Sequence, residues 1–232
     1  MTFSIIARCR RTGQLGYAQA TGTPAIGRRV MRVVPKRFVI AVQAGHNHYL
    51  LEMAYQMALL GTSAERINSA LTAADPNFAQ RQTMFLAAEG PGFAYTGDDA
   101  RDWKGHAVSE DCVVAGNVLA GPKVVESMRA AFEDNANEEL SERLMRALEA
   151  GRREGGQSDG ERSAALYVMS DVPYPLIDLR VDVSMNPTAD LRKAFDWYKP
   201  LVPFYAECYE QGTPARYKQH LTQIKWPVDP VL

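Results

Sequence analysis

The chain has no apolar run near the roughly 18 residues a membrane-spanning helix needs, so nothing in its 232 residues reads as a membrane anchor. Its start, Met1-Thr2-Phe3-Ser4-Ile5-Ile6-Ala7-Arg8, lacks the basic first region and long apolar core of a signal peptide. The expected compartment is therefore the cytoplasm. Cysteine is scarce. Cys9, Cys112 and Cys208 are odd in number and far apart, which excludes a disulfide framework and leaves no pair at metal-ligand spacing. Reduced, semi-buried thiols are expected. There is no P-loop, no G-x-G-x-x-G after a strand, no G-x-S-x-G and no H-E-x-x-H. A large excess of either charge is also missing, with 26 basic against 27 acidic residues, which argues against a dedicated nucleic-acid binder. Acid is absent locally: residues 1–51 hold eight Lys or Arg and no Asp or Glu. That segment is either a basic rim facing acidic loops or a cleft that attracts an anionic substrate.

What is present is an ordinary globular composition, 46% apolar and 23% charged, which excludes a disordered or fibrous chain. Phe3–Ala7 and Leu15–Ala20 read as strands joined by a turn containing Gly13. Arg37–Ala44 reads as a third strand. Apolar residues at helical spacing mark helices over Tyr49–Leu60 and through Ile67, Leu71 and Ala74, the second opened by a capping box, Thr62-Ser63-Ala64-Glu65. Strands return at Gln82–Ala87, Gly92–Tyr95 and Cys112–Ala115. A helix is expected from Pro122 at its first position, and another from about Glu138 to Ala150. The polar, glycine-rich run Glu154–Gly160 lacks the Lys-Ser/Thr ending of a phosphate cradle and reads as a connection. Strands at Ser163–Met169 and Leu176–Val181 and a helix after Asn186-Pro187 follow. Strands fall in groups between helix pairs instead of alternating one for one. That disfavours a parallel doubly wound sheet and favours antiparallel sheets with helices packed outside in layers.

Chemistry is sparse. His46 and His48 would face one side of an extended segment, but no third ligand is signposted, so no metal site and no cofactor are expected. Thr2 follows an initiator Met and is small enough for that Met to be removed. Removal would leave an α-amine beside the residue's own hydroxyl. An α-amine titrates near ~7.7–8, so part of it is free base at neutral pH and can activate the hydroxyl as a nucleophile.

The chain resembles the bacterial domain-of-unknown-function 1028 family. The residues that carry the resemblance are Thr2-Phe3-Ser4-Ile5, Thr96-Gly97 with Trp103, Gly105 and His106, and Gly116-Asn117 leading into Leu119-Ala120-Gly121-Pro122. Gly155-Gly156 to Asp159 leading into Ser163-Ala164-Ala165-Leu166, and Asp178-Leu179-Arg180-Val181-Asp182, complete the set. The likeness runs from Thr2 to about Lys193. It implies an α+β fold like that of N-terminal-nucleophile (Ntn) hydrolases, a four-layer αββα sandwich of two antiparallel sheets, with Thr2 in the nucleophile's place. The family has no established reaction, so the resemblance implies a place for a nucleophile and not an activity. Many relatives carry Ala-Thr-Gln-Ala and then Asn-Pro where this chain has Ala41-Val42-Gln43-Ala44 and Asn47-His48. Gln43 and Asn47 remain, while Val42 and His48 depart from the pattern.

These readings combine into one expectation. Residues 1–195 form the Ntn-like sandwich. Residues 196–232, with seven of the 21 aromatics and five prolines, form an extension that wraps the domain or lies at a subunit interface. Thr2 is the nucleophile. Gln43 and Asn47 are candidate oxyanion donors, Asn117 positions substrate or caps a turn, and Arg28 or Arg29 lowers the amine pKa or binds a substrate carboxylate. The expected activity is amide hydrolysis of a small substrate, anionic ones included, by a cytoplasmic homodimer with no nucleic-acid or membrane partner. The alternative is a non-catalytic binding or assembly protein that keeps the fold.

Overall fold

The computed structural model describes residues 1–45, 47–171, 173–211 and 217–223. In chain order the strands are β1 (Thr2–Cys9), β2 (Gln14–Thr21), β3 (Met31–Val34), β4 (Phe38–Gln43), β5 (Gln82–Ala87), β6 (Phe93–Thr96), β7 (Gly105–Val108), β8 (Cys112–Asn117), β9 (Ser163–Met169) and β10 (Pro175–Val181). The helices are α1 (His48–Leu59), α2 (Ala64–Ala74), α3 (Lys123–Asp134), α4 (Leu140–Arg153), α5 (Pro187–Tyr198), α6 (Val202–Gln211) and α7 (Tyr217–Gln223). Six strands form one sheet in the order β10-β9-β2-β1-β8-β7, and four form a second in the order β3-β4-β5-β6. Every strand pair in both sheets is antiparallel.

The layering follows from strand alternation. Successive side chains of a strand point to opposite faces. In β1, Phe3, Ile5 and Ala7 face outward and pack with Val125, Met128, Leu144, Leu148 and Phe195 from α3, α4 and α5. On the inner face, Ile6 packs with Tyr17, Met84, Val113 and Tyr167 between the two sheets. The outer face of the second sheet, through Phe38, Ile40 and Val42, is covered by Leu50, Leu51 and Ala54 of α1 and by Ile67 and Leu71 of α2. The result is helix, sheet, sheet, helix, the expected α+β αββα sandwich. Because β1 is central in the larger sheet and covered on both sides, all eight of its residues are buried. The β1–β2 hairpin closes at Gly13, whose φ of +69° suits a residue without Cβ.

Several local expectations shift. The helix after Gly61 is capped by Ser63, whose side chain accepts from Arg66 N at 3.5 Å. The cap thus lies one residue later than a capping box from Thr62 would place it, with Ser63 in the extended conformation immediately before the first helical turn. Pro122 is the N-cap of α3, not its first helical residue. β3 and β7, four residues each, are strands that the sequence reading does not find. The 195/196 boundary falls inside α5. Beyond it the chain turns at Lys199–Leu201 into α6, with Leu201 and Phe204 buried and Tyr198 stacked on Tyr205 at 5.7 Å. His46 and Trp226 lie outside the described residues.

Candidate functional site

The first residue of β1 sits at one end of the inter-sheet layer. Thr2 pairs with Thr21 of β2 on one side and with Asn117 of β8 on the other, and Thr21 pairs in turn with Ser163 of β9. Residues opposite each other on neighbouring strands share a face. Four polar side chains therefore line up across the end of the larger sheet, facing the smaller one. Thr2 Oγ1 lies 3.1 Å from Thr21 Oγ1. The Thr21 hydroxyl also donates to the Met1 carbonyl.

One step further in, Ser4 and Gln19 are fully buried. Ser4 Oγ donates to Gln43 Oε1 at 2.8 Å. Gln43, the last residue of β4, donates from Nε2 to Gln82 Oε1 at 3.2 Å and to Ala115 O at 3.4 Å. Gln82, the first residue of β5, donates from Nε2 to Gly116 O at 2.8 Å, Thr96 Oγ1 at 3.0 Å and Gly105 O at 3.2 Å. Its Oε1 also accepts from Asn117 Nδ2 at 2.7 Å. Thr96 Oγ1 reaches His106 Nδ1 at 2.8 Å. This end of the sandwich is thus stitched by carboxamides and hydroxyls where its middle is apolar. Such a buried network is tolerable because Ser4, Gln43, Gln82 and Asn117 find partners, although Gln19 Oε1 is left without one.

A cavity of about 250 Å³ opens beside Thr2, with Thr21, Gln43, Asn117, Ile26 and Arg101 among its walls. Ala44 and Gly45, at φ +63° and +107°, turn the chain after β4 so that main chain forms part of the wall. A Cβ on Gly45 would sit 2.1 Å from Arg81 Nη1, so this position needs glycine both for its φ and for the guanidinium behind it. Arg81 Nε is held by Asp75 at 2.9 Å. Burial alone would raise the Asp75 pKa. Hydrogen bonds from Asn77 N, Arg81 and the Asn47 side chain overcome it and hold the carboxyl below its ordinary value.

The expected site residues separate accordingly. Thr2, Gln43 and Asn117 line one cavity. Asn47 turns instead to Asp75, and both N–H groups of Gln43 are spent on Gln82 and Ala115. Arg28 and Arg29 are exposed, with the Arg28 guanidinium over the Tyr167 ring at 5.0 Å. The cation beside the N-terminus is Arg101, 3.9 Å from Asp159 of the glycine-rich loop. Burial and then Arg101 lower the α-amine pKa of Met1, while Asp159 opposes them. That loop reads in sequence as a mere connection. Here Ser158 N donates to Val118 O and Gln157 Nε2 to Asn117 O, both at 3.0 Å, so it braces the end of β8. Gln82, Arg101 and Asp159 are the functional candidates that sequence reading misses. Among the described residues, no three His, Cys, Asp or Glu come together to hold a metal, and no helix is long and apolar enough to cross a membrane.

The family described as "Family of unknown function (DUF1028)" matches residues 2–191. A crystal structure of protein SPO2555 from Silicibacter pomeroyi, of the same family, is 29% identical with a TM-score of 0.75, covering 84% of this chain and 88% of that one. HslV from Trypanosoma brucei is 11% identical with a TM-score of 0.46, covering 72% of this chain and 99% of that one. Anbu from Yersinia bercovieri is 12% identical with a TM-score of 0.46, covering 88% and 97%. No curated protein matches.

Proposed function

For a chain that belongs to the family of unknown function DUF1028, we propose amide-bond hydrolysis by an N-terminal nucleophile, with Thr2 as that nucleophile and a small amide as substrate. The observation that carries the reading is the position of Thr2. Its hydroxyl stands at the head of a central strand, between Thr21 and Asn117, on the wall of a cavity. Once the residue before it is removed, the Thr2 nitrogen becomes an α-amine within the same residue as the hydroxyl. The free amine takes the hydroxyl proton as Oγ1 bonds to the substrate carbonyl carbon. The protonated amine then gives that proton to the leaving nitrogen as the C–N bond breaks, leaving an ester on Thr2. Water, activated by the same amine, cleaves the ester and restores the hydroxyl. The Asn117 carboxamide and the main chain at Ala44–Gly45 are the neutral polar groups beside the reacting carbonyl. Arg101 on the rim is the cation available to an anionic group of the substrate, in competition with Asp99 and Asp159.

A second reading rests on Met1. With Met1 attached, the Thr2 nitrogen is locked in a peptide bond and the preceding carbonyl is held by the Thr21 hydroxyl. A protein that stays in this state would use the fold for binding or for assembly, including assembly as a homodimer. Intact mass of protein purified from its own host separates the two. Loss of one methionine, together with a covalent adduct on Thr2 from an electrophilic amide mimic that Thr2→Ala abolishes, supports the hydrolase. Retained Met1 and no adduct sinks it in favour of binding.

A further inference from the structure

The carboxamides around Thr2 have forced orientations. Main-chain carbonyls only accept hydrogen bonds, so the Gln82 atom facing Gly116 O and Gly105 O must be its nitrogen. Gln82 Oε1 then faces the other way, toward Gln43 and Asn117. Both must donate to it, so Asn117 commits its nitrogen to Gln82. Its oxygen, Oδ1, is left for the cavity, one strand across from Thr2. Orientation passes in this way from the backbone of β7 and β8, through one buried glutamine of the opposite sheet, to the side chain beside the nucleophile.

We propose that Gln82 is a positioning residue that makes Asn117 an acceptor, and that Asn117 Oδ1 receives a hydrogen bond from the Thr2 α-amine once that amine is free. This rests on the reading that Thr2 becomes N-terminal, and it adds to that reading the residue that aims the base. An acceptor at the amine stabilises the ammonium and keeps the nitrogen pointed along a fixed direction. One N–H of Asn117 is committed to Gln82, so its oxygen and not that N–H is what it turns toward the amine. A carboxamide with the opposite orientation would do the reverse, donating to the lone pair and depressing the amine's basicity. The charged and titrating groups around this end are Arg101, Asp99, Asp159, the Asp75–Arg81 pair behind Gly45 and His106 beyond Thr96, none of them substituted in the variants below.

The test is the titration of the Thr2 amine in protein whose mass shows that it begins at Thr2. The rate of acylation of that amine is followed by peptide mapping from about pH 5 to about pH 10. Asn117→Ala is expected to lower the midpoint by about half a unit to one unit. A rise, or no change, overturns the acceptor assignment. Gln82→Met is expected to erase most of the difference between Asn117 and Asn117→Ala, and a full difference persisting in that background overturns the positioning role. If Gln82→Met does not fold, the cycle is run with Gln82→Glu, which still accepts from Asn117 Nδ2. There the difference is expected to persist, and its loss overturns the role. None of these readouts needs turnover, so protein that shows the shifts and hydrolyses nothing counts against the hydrolase reading alone.

Discussion

Two polar clusters, one buried and one centred on the buried Glu142 but partly exposed, hold this sandwich together by different means. At the Thr2 end, Ser4, Gln43, Gln82 and Asn117 are joined by neutral hydrogen bonds between the sheets. On the helix side, Glu142 of α4 meets Arg146 at 2.8 Å, Lys199 at 2.9 Å and Arg192 at 3.2 Å, and Arg192 also holds Glu149 at 2.7 Å. The charged seam fastens α4 to α5 and to the turn that leads into α6. Its strength depends on pH and salt. The neutral cluster has no charge to screen, and its titrating group, His106, stands at the far end, where burial lowers its pKa. The two clusters show where the molecule uses charge for cohesion and where it uses neutral hydrogen bonds instead.

Gln43→Leu is expected to destabilise the fold most. It takes away the acceptor of the buried Ser4 hydroxyl and one donor to Gln82, at a cost of about 2–3 kcal/mol. Urea unfolding should show that cost unchanged between about pH 5 and about pH 8, since no ion is involved. Glu142→Gln comes next, at about 1–2 kcal/mol near neutrality. Burial alone would raise the Glu142 carboxyl, but Arg146, Arg192 and Lys199 hold it at about 2, against 4.5 for a free group. A depressed carboxylate stabilises the fold above its unfolded pKa. Its contribution is lost as pH falls from about 4.5 through about 2. The cost of Glu142→Gln should therefore shrink to nothing at the acid end, as paired denaturation curves would show. Ser4→Ala should have the smallest effect, about 1 kcal/mol, because the Gln43 oxygen it exposes can be served by a water.

Much of this architecture is legible in the sequence. The grouped strands and helix pairs imply antiparallel sheets in layers, and the resemblance carried by Thr2-Phe3-Ser4-Ile5 and Gly116-Asn117 names the αββα order. The site is less legible because its signal runs against the usual sign. In β1 the polar residues Thr2 and Ser4 alternate with Phe3 and Ile5, a pattern that ordinarily marks one face in water. Here that face lies against a second sheet. Gln82 opens a strand that sequence reading finds, but a glutamine at a strand end carries no mark of being fully buried. Arg101 and Asp159 lie 58 positions apart in loops, and only the fold brings them near each other. Asn47, a natural candidate from its place after Gln43, is drawn off by the Asp75–Arg81 pair.

The burial of Thr2 also sets a clock. Its exposure is 5%, it is hydrogen-bonded between two strands, and the carbonyl before it is held by a neighbouring hydroxyl. An aminopeptidase must draw the first residues of its substrate into its own cleft in extended form, and a finished sandwich does not release them. The hairpin partner β2 lies within the first 21 residues, whereas β8, which closes the other side of Thr2, begins at residue 112. Release of the residue before Thr2 from the finished sandwich would thus require the head of β1 to part from both neighbours, whereas before β8 is made it would have to part from β2 alone.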